Sequence, residues 1–354
     1  SDYVAGIQCH KQLWLRVNEP NAIELQPNDD QEALFEQGKR VGELARTHVP
    51  GGTLIVSPYY ALDERLRATK HALEAGCDVI YEAAFAFDKQ FVAIDILERV
   101  SDKFIVTEVK SSTKVKPEHL EEVALQAFVL EQNGLTVSRL QVMHINRECT
   151  YPNLANLFIT EDVTVKVTPL VQQARERIRA QAEVVAGSLP VLNIGPQCSA
   201  PYECPFKSRC WADVPAHHVT TLYRVQQKKA FELVERGFGT IPDLPNDFSL
   251  SQIAERQRRA VVENNLVIEP TLTDALSELP ESMGFLDFET VGPAIPVWPG
   301  CRPYDPVPVQ FSFCKLEPNG ELTQFEWLAD GAEDPREGIA IALIDACHGV
   351  EKIA

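Results

Sequence analysis

Asp95 interrupts an otherwise apolar run from Phe91 to Leu97, and Glu108 and Lys110 close the next such run, which starts at Phe104. Alternate residues of a strand share a face, so Glu108 and Lys110 project together. If the two runs form a hairpin, Asp95 meets Glu108 across it. Two carboxylates and the carbonyl of Val109 then make an oxygen cage, the donor set that Mg²⁺ or Mn²⁺ prefers. A lysine beside that cage can orient or deprotonate a water and stabilise charge developing on a phosphoryl group. The outline is that of phosphodiester hydrolysis. A carboxylate–x–lysine pair alone is more often a solvated strand face. Asp95, placed inside an apolar strand one hairpin earlier, favours the chemical reading. So does the sequel: Ser111-Ser112-Thr113 leads into a helix carrying Gln126, which could hold the lysine or a phosphate.

Two further constellations stand out. Cys198, Cys204 and Cys210 recur at six-residue intervals in a Pro- and Cys-rich stretch, Leu189 to Trp211, that lacks periodicity. Zinc sites usually contain a Cys-x₂₋₄-Cys pair, absent here. Iron–sulfur clusters accept more varied spacing but need four thiolates. Cys9 is the fourth candidate, far away in the chain; zinc ligation and free thiols remain as alternatives. Cys77, Cys149, Cys301, Cys314 and Cys347 read as buried free thiols. Near the end of the chain, Asp287 and Glu289 flank Phe288 in an apolar strand, again placing two carboxylates on one face, where they could hold metal ions. A solvated strand end is the competing reading.

Asp95, then Glu108-Val109-Lys110-Ser111-Ser112, then Gln126, resembles the PD-(D/E)XK nucleases of the RecB-like branch. The resemblance implies a restriction-endonuclease-like α/β core, Asp95, Glu108, Lys110 and Gln126 as catalytic residues, and nucleic-acid contacts from Ser111, Ser112 and Lys114. That branch places an aromatic four residues after the glutamine, where this chain has Leu130. It also tends to carry Gly-x-x-x-His on its first helix. Gly38 fits, the His position is Gly42, and the adjacent Glu43 is the candidate for the additional metal ligand. A distant N-terminal cysteine with a C-terminal trio is similar to the iron–sulfur members, which include CRISPR-associated nucleases and the nuclease domains of AddB-type helicases. This implies one [4Fe–4S] cluster on Cys9, Cys198, Cys204 and Cys210, and nuclease, helicase or CRISPR-type protein partners. Asp287-Phe-Glu289, with Ala294-Ile-Pro296, Arg302-Pro-Tyr304 and Val309 to Phe313, resembles a DnaQ-like domain of the RNase H fold.

The elements that would position these residues follow from periodicity. Helices are expected over Gln31–His48, Asp63–Glu74, Glu118–Asn133, Thr168–Ala186 (Thr168 capping, Pro169 first), Leu222–Gly237, Leu250–Glu263 and Pro335–Ala346. Strands are expected over Val79–Phe87, Phe91–Leu97, Phe104–Val109, Leu140–Ile145, Met283–Glu289, Val307–Leu316 and Gln324–Leu328. The fold class is α/β, in three consecutive parts. By the resemblance, residues 1–215 are expected to form the iron–sulfur nuclease domain. Residues 216–282 form a basic helical linker, whose Gly237-Phe-Gly239 turn is loosely like a helix-hairpin-helix. Residues 283–354 are expected, on the second resemblance, to form the start of a DnaQ-like domain. Only 67 residues follow Asp287, too few for a whole RNase H-like sheet with all its acidic motifs. The natural protein is therefore expected to continue, and this half-domain to lack exonuclease activity.

The chain has 354 residues with 33 Lys plus Arg against 51 Asp plus Glu, a formal charge of −18. This argues against a protein that coats phosphates over its whole surface, but not against a nuclease with a local basic groove. No apolar run reaches the ~18 residues of a membrane span. No secretory signal pattern opens the sequence, so a cytoplasmic location is expected. Metal-dependent hydrolysis of DNA, single-stranded or at ends, is the leading function. A catalytically weak nucleic-acid-binding or scaffolding module with a structural cluster is the alternative, and a zinc-stabilised interaction protein is a third.

Overall fold

The computed structural model describes residues 1–58, 61–280 and 282–354. Its elements run α1 Asp2–Gln8, α2 His10–Asn18, α3 Asp29–Ala45, β1 Thr53–Leu54, α4 Leu62–Glu74, β2 Val79–Phe87, β3 Gln90–Val100, β4 Lys103–Lys110, α5 Pro117–Gln132, β5 Val137–Ile145 and β6 Phe158–Asp162. They continue with α6 Thr164–Ala186, α7 Lys207–Cys210, α8 Gln227–Glu235, α9 Gln252–Glu263, α10 Leu272–Ser277, β7 Met283–Val291, β8 Val307–Leu316, β9 Leu322–Leu328 and α11 Arg336–Ala346. The fold is mixed α/β, with a six-stranded sheet ordered β1 to β6 and a three-stranded sheet ordered β7-β8-β9.

Turn chemistry sets the two central hairpins. Asp88 and Lys89 adopt φ of 45° and 63°, and Ser101 adopts 59°, the left-handed backbone that tight hairpins require. β2–β3 and β3–β4 are accordingly antiparallel. β4 and β5 are parallel, so the chain between them must cross over, and α5 does so. Pro117 opens α5, where its missing N–H is no loss. Gly134, at φ 81°, lets the chain leave it. Residues 123–130 of α5 are all buried, so this helix is apolar nearly all round instead of amphipathic. β1 and β6 extend the sheet at its two edges, β1 parallel to β2 and β6 antiparallel to β5.

In the second sheet β8 is central and antiparallel to both neighbours. α11 covers it, packing Ile339 and Ala346 on Phe311 and Phe313. The chain then returns to the free edge of β7. Gly284 N donates to Lys352 O at 2.8 Å, Leu286 N to Ala354 O at 3.0 Å and Ala354 N to Gly284 O at 2.8 Å. The bridge between Gly284 and Ile353 is parallel, the sense a helical crossover imposes.

Two compact units emerge. One comprises residues 27–176 and 279–354, and the other residues 1–26 and 177–278, with the division falling inside α6. Each unit draws on both halves of the chain, a grouping different from the three consecutive parts read in the sequence. The second unit ties the N-terminal helices to the end of α6. Trp14 Nε1 donates to Gly187 O at 2.8 Å, Asn18 Nδ2 to Val185 O at 3.2 Å and the buried Gln181 Nε2 to Tyr3 O at 2.9 Å. Its helical region has its own core of Val219, Leu222, Leu233, Ile241, Leu244 and Ala254.

Two local expectations are corrected. α6 begins at Thr164, not Thr168. Asp162 Oδ1 accepts from the amide and hydroxyl of Thr164 at 2.9 and 2.6 Å, so Pro169 lies inside the helix and forgoes the bond to the carbonyl four residues back. The Gly237-Phe-Gly239 turn leads into a one-turn 3₁₀ helix, Ile241–Asp243. The next α-helix waits until Gln252, because Pro242 and Pro245 break the intervening chain. Among the described residues no helix is long and apolar enough to cross a membrane.

Candidate functional site

The C-terminal end of β4 gathers four of the expected side chains. Residues 96 and 107 are opposite partners in the β3–β4 hairpin. One step further on, Asp95 Oδ2 accepts from Val109 N at 2.6 Å. Glu108 is buried and receives Lys110 Nζ on Oε1 and Gln126 Nε2 on Oε2, each at 2.6 Å. Gln126 also approaches Ala93 O at 3.4 Å. The glutamine therefore orients the Glu108 carboxylate, not the lysine. Gln126 Oε1 is buried without a hydrogen-bond partner among the described residues.

Electrostatics set this cluster apart from an ordinary surface network. Burial raises the Asp95 carboxyl well above the usual range, and the like charges of Glu108 and Glu82 push it further. Burial also works against ionised Glu108, but the Lys110 ammonium and the Gln126 hydrogen bond outweigh it and hold Glu108 below its ordinary value. Burial would depress Lys110; Glu108 and Glu122 overcome it and hold the ammonium above its usual value. Lys110 thus stays a cation, and a proton-abstracting role for it is not favoured by these surroundings.

Two participants escaped the sequence reading. Glu122 lies 2.6 Å from Lys110 Nζ and one helical turn before Gln126, so the i, i+4 spacing on α5 carried the signal. Glu82 interrupts the apolar run of β2 just as Asp95 interrupts that of β3. It falls between the paired residues 81↔96 and 83↔94, opposite Asp95, with φ of 57°. That backbone is strained for a non-glycine residue. Arg46 and Arg65 approach its carboxylate at 3.1 and 3.4 Å. His119, at the start of α5, is also buried. Burial, then Lys110 and Lys116, push its imidazole down to about 4.

The remaining expected residues stand apart from this cluster. Glu43 is exposed on α3, and neither a hydrogen bond nor an ion pair links it to Asp95 or Glu108 among the described residues. Gly42, beside it, faces open space, whereas Leu130 is wholly buried in the core. Ser111 follows Lys110 and offers its carbonyl to the Tyr304 hydroxyl. Ser112 Oγ donates to Lys114 O at 2.8 Å, and the Lys114 side chain is exposed. Asp287 and Glu289 lie exposed on β7, opposite Ser312 and Gln310 of β8.

In the other unit Cys9, Cys198, Cys204 and Cys210 all border one cavity, together with Gln12, Leu15 and Phe206. Cys9 is the extended residue between α1 and α2, with φ of −161°, so the helix break presents its side chain. Gln8 Nε2 fastens α1 to the cysteine loop through Gln197 O and Tyr202 O, both at 2.7 Å. Cys204 N donates to Cys198 O at 2.9 Å. Burial, with smaller contributions from the other three thiols, pushes the Cys204 thiol up to about 11. All nine cysteines are free.

Among the described residues no three or more His, Cys, Asp or Glu side chains converge to hold a single metal ion. A four-iron cluster takes one thiolate per iron, so its ligands surround a cavity instead of meeting at a point. The four thiols that line this one cavity match that demand in kind and number. The Asp95–Glu108 pair, with the Val109 carbonyl, fits a hard divalent ion: both donors are oxygen, and their crowded negative charge invites a cation.

Residues 284–354 match a family model described as "Domain of unknown function (DUF2779)". No curated protein matches the chain. A solved structure titled "Crystal structure of SSO0001" is similar at 12% identity with a TM-score of 0.20, over 52% of this chain and 98% of its own.

Proposed function

We propose that this chain is a metal-dependent deoxyribonuclease of the RecB-like PD-(D/E)XK type, acting on single strands or DNA ends and carrying a structural [4Fe–4S] cluster. The observation that carries the reading is the hydrogen-bonded set of Asp95, Glu108, Lys110 and Gln126 at one strand end. Asp95, Glu108 and the Val109 carbonyl would hold Mg²⁺ or Mn²⁺, which supplies Lewis acidity and an activated water when bound. Gln126 fixes the rotamer of Glu108. Lys110 remains cationic between Glu108 and Glu122 and offers positive charge where negative charge develops on phosphate. The unpartnered Gln126 Oε1 can accept from a water or a substrate group. Cys9, Cys198, Cys204 and Cys210 would hold the cluster, whose role is to clamp the N-terminal helices to the late cysteine loop.

Labelled single-stranded DNA incubated with Mn²⁺ and the anaerobically prepared protein tests this directly. Wild-type protein should cleave and Asp95→Ala should not; equal cleavage by both would defeat the assignment. Iron and sulfide analysis should give about four of each per chain, on the Cys₄ stoichiometry, and zinc in their place would refute the cluster. A second reading has its own observation. Leu130 is buried in the core where the branch has an aromatic, and Gly42 leaves open space where it has a histidine. DNA binding without cleavage would favour that scaffolding module.

A further inference from the structure

The segment between β7 and β8, residues 292–306, leaves its own sheet and packs against α3, the end of β5, the loop that follows β5, and Ser111 after β4. Ala294 is fully buried among Val41, Ile145, Cys149 and Leu157. Its amide donates to Gln37 Oε1 of α3 at 2.9 Å. Tyr151 N donates to Cys301 O, and Gly300 N to Tyr151 O, both at 3.0 Å. Arg302 reaches Glu148 at 3.3 Å. At the far end the Tyr304 hydroxyl donates to Ser111 O. Tyr304 adopts φ of 64°, strained backbone for an aromatic residue. The strap is equally bound to its own domain: Trp298 Nε1 donates to Ala332 O at 3.1 Å, and Arg336 Nη2 to Pro299 O at 2.7 Å.

This places one fixed donor on the residue after Lys110. The ladder pairing of β4 with β5 extends to Lys110↔His144. Beyond it the chain must turn through Ser111–Lys116 into α5, which brings Glu122 and Gln126 back to the site. The placement of Lys110 therefore depends on what holds this turn. On one side Ile145 N donates to Ser112 O at 2.9 Å; on the other, Tyr304 holds Ser111 O. We propose that Tyr304, delivered by the strap of the segment matching the family of unknown function, is a positioning residue. It acts through the Ser111 carbonyl to keep the Lys110 strand end and the start of the α5 turn in register. The inference rests on the nuclease reading for its catalytic consequence, but not for its structural one.

The test is Tyr304→Phe in the full chain, which keeps the ring and removes only the hydroxyl. Two readouts are taken. The first is hydrogen exchange of the backbone amides of residues 110–114; the second is kcat and KM for Mn²⁺-dependent cleavage of single-stranded DNA. Exchange at 110–114 should quicken by roughly threefold to tenfold, the factor that one neutral hydrogen bond allows. Cleavage should lose a similar factor in kcat with KM within about twofold, the pattern of an effect on the chemical step alone. Unchanged exchange overturns the proposal whether or not the protein cleaves DNA. Faster exchange with unchanged kcat in an active enzyme also overturns it, reducing the strap to a domain tether. If wild-type protein does not cleave, the nuclease reading fails, and the exchange result alone decides whether Tyr304 holds the strand end.

Discussion

Replacing Lys110 by Met removes the cation that two carboxylates share. Its Nζ is 2.6 Å from both Glu108 Oε1 and Glu122 Oε2, and the side chains of Lys110, Glu108 and Glu122 are 22%, 10% and 17% exposed. The change keeps an apolar stem of similar length, so little packing is lost. What remains is two poorly solvated carboxylates with Asp95 beside them. Breaking a buried pair by deleting one partner costs about 3–5 kcal/mol; the residual exposure of this trio lowers that to roughly 2–4 kcal/mol. For a unit of about 150–250 residues this lowers the melting midpoint by roughly 5–15 °C. The assay is thermal unfolding of Lys110→Met, Glu122→Gln and the double variant. The double variant should recover part of the loss, with a coupling of about 1–3 kcal/mol. Mn²⁺ should raise the midpoint of Lys110→Met more than that of wild-type protein, because the added cation then relieves a larger charge imbalance. A midpoint for Lys110→Met within about 1 °C of wild type would show that the three groups are solvated and that the electrostatic account is wrong.

Other outcomes follow from the same geometry. Gly284→Ala would set a Cβ 2.3 Å from Phe313 Cε2, and the ring is locked in the core, so the three-stranded sheet should lose roughly 1–3 kcal/mol in denaturant unfolding. His119, held neutral with a folded value of about 4 against an ordinary ~6.5, binds its proton more weakly when folded. Stability is therefore complete above ~6.5 and declines as pH falls towards 4, by up to about 3 kcal/mol. His119→Gln should flatten that decline, and an NMR titration placing the imidazole near 6.5 would refute it. Cys204→Ser should lower bound iron and loosen α1 and α2, read as faster proteolysis within residues 1–26; undiminished iron content would exclude Cys204 as a ligand.

Much of the candidate site was legible because strand periodicity converts spacing into shared faces. Asp95, Glu108 and Lys110 needed only two apolar runs and a turn between them, and the hairpin runs 79–87, 90–100 and 103–110 lie within a few residues of the predicted ones. Glu82 carried the same signal and was passed over, since no second acidic residue two positions away drew attention to it. α1 and α2 were missed because the break at Cys9 leaves two helices too short for their periodicity to register. β1 and β6 are edge strands of two and five residues, held by tertiary pairing more than by local pattern. The strap was beyond reach for another reason. Pro293, Pro296, Pro299 and Pro303 mark irregular chain, but nothing local reveals which surface irregular chain will lie on.

The charges gathered at the end of β4 do not cancel. Glu82, Asp95, Glu108 and Glu122 contribute four carboxylates, and Arg46, Arg65 and Lys110 contribute three cations. Each cation is engaged: both arginines with Glu82, and the lysine with Glu108 and Glu122. Asp95 has no ion pair among the described residues; the Val109 amide and the more distant Lys110 charge favour its ionised form, but burial and the neighbouring Glu108 and Glu82 carboxylates outweigh them. Ionised, such a buried carboxylate is costly, and its surroundings drive Asp95 towards the protonated form in the absence of a cation. Here the excess falls on the residue whose carboxylate adjoins Glu108 and the Val109 backbone, where a divalent cation would find three oxygen donors. On the proposed reading, a bound cation would relieve this imbalance. It makes a sharp demand on Asp95→Asn: with Oδ1 still able to accept from Val109, that variant should be at least as stable as wild type without metal. It should also lose most of the stabilisation that Mn²⁺ confers. If Asp95→Asn unfolds more readily than wild type in the absence of metal, Asp95 is a structural anchor and the excess charge has been misread.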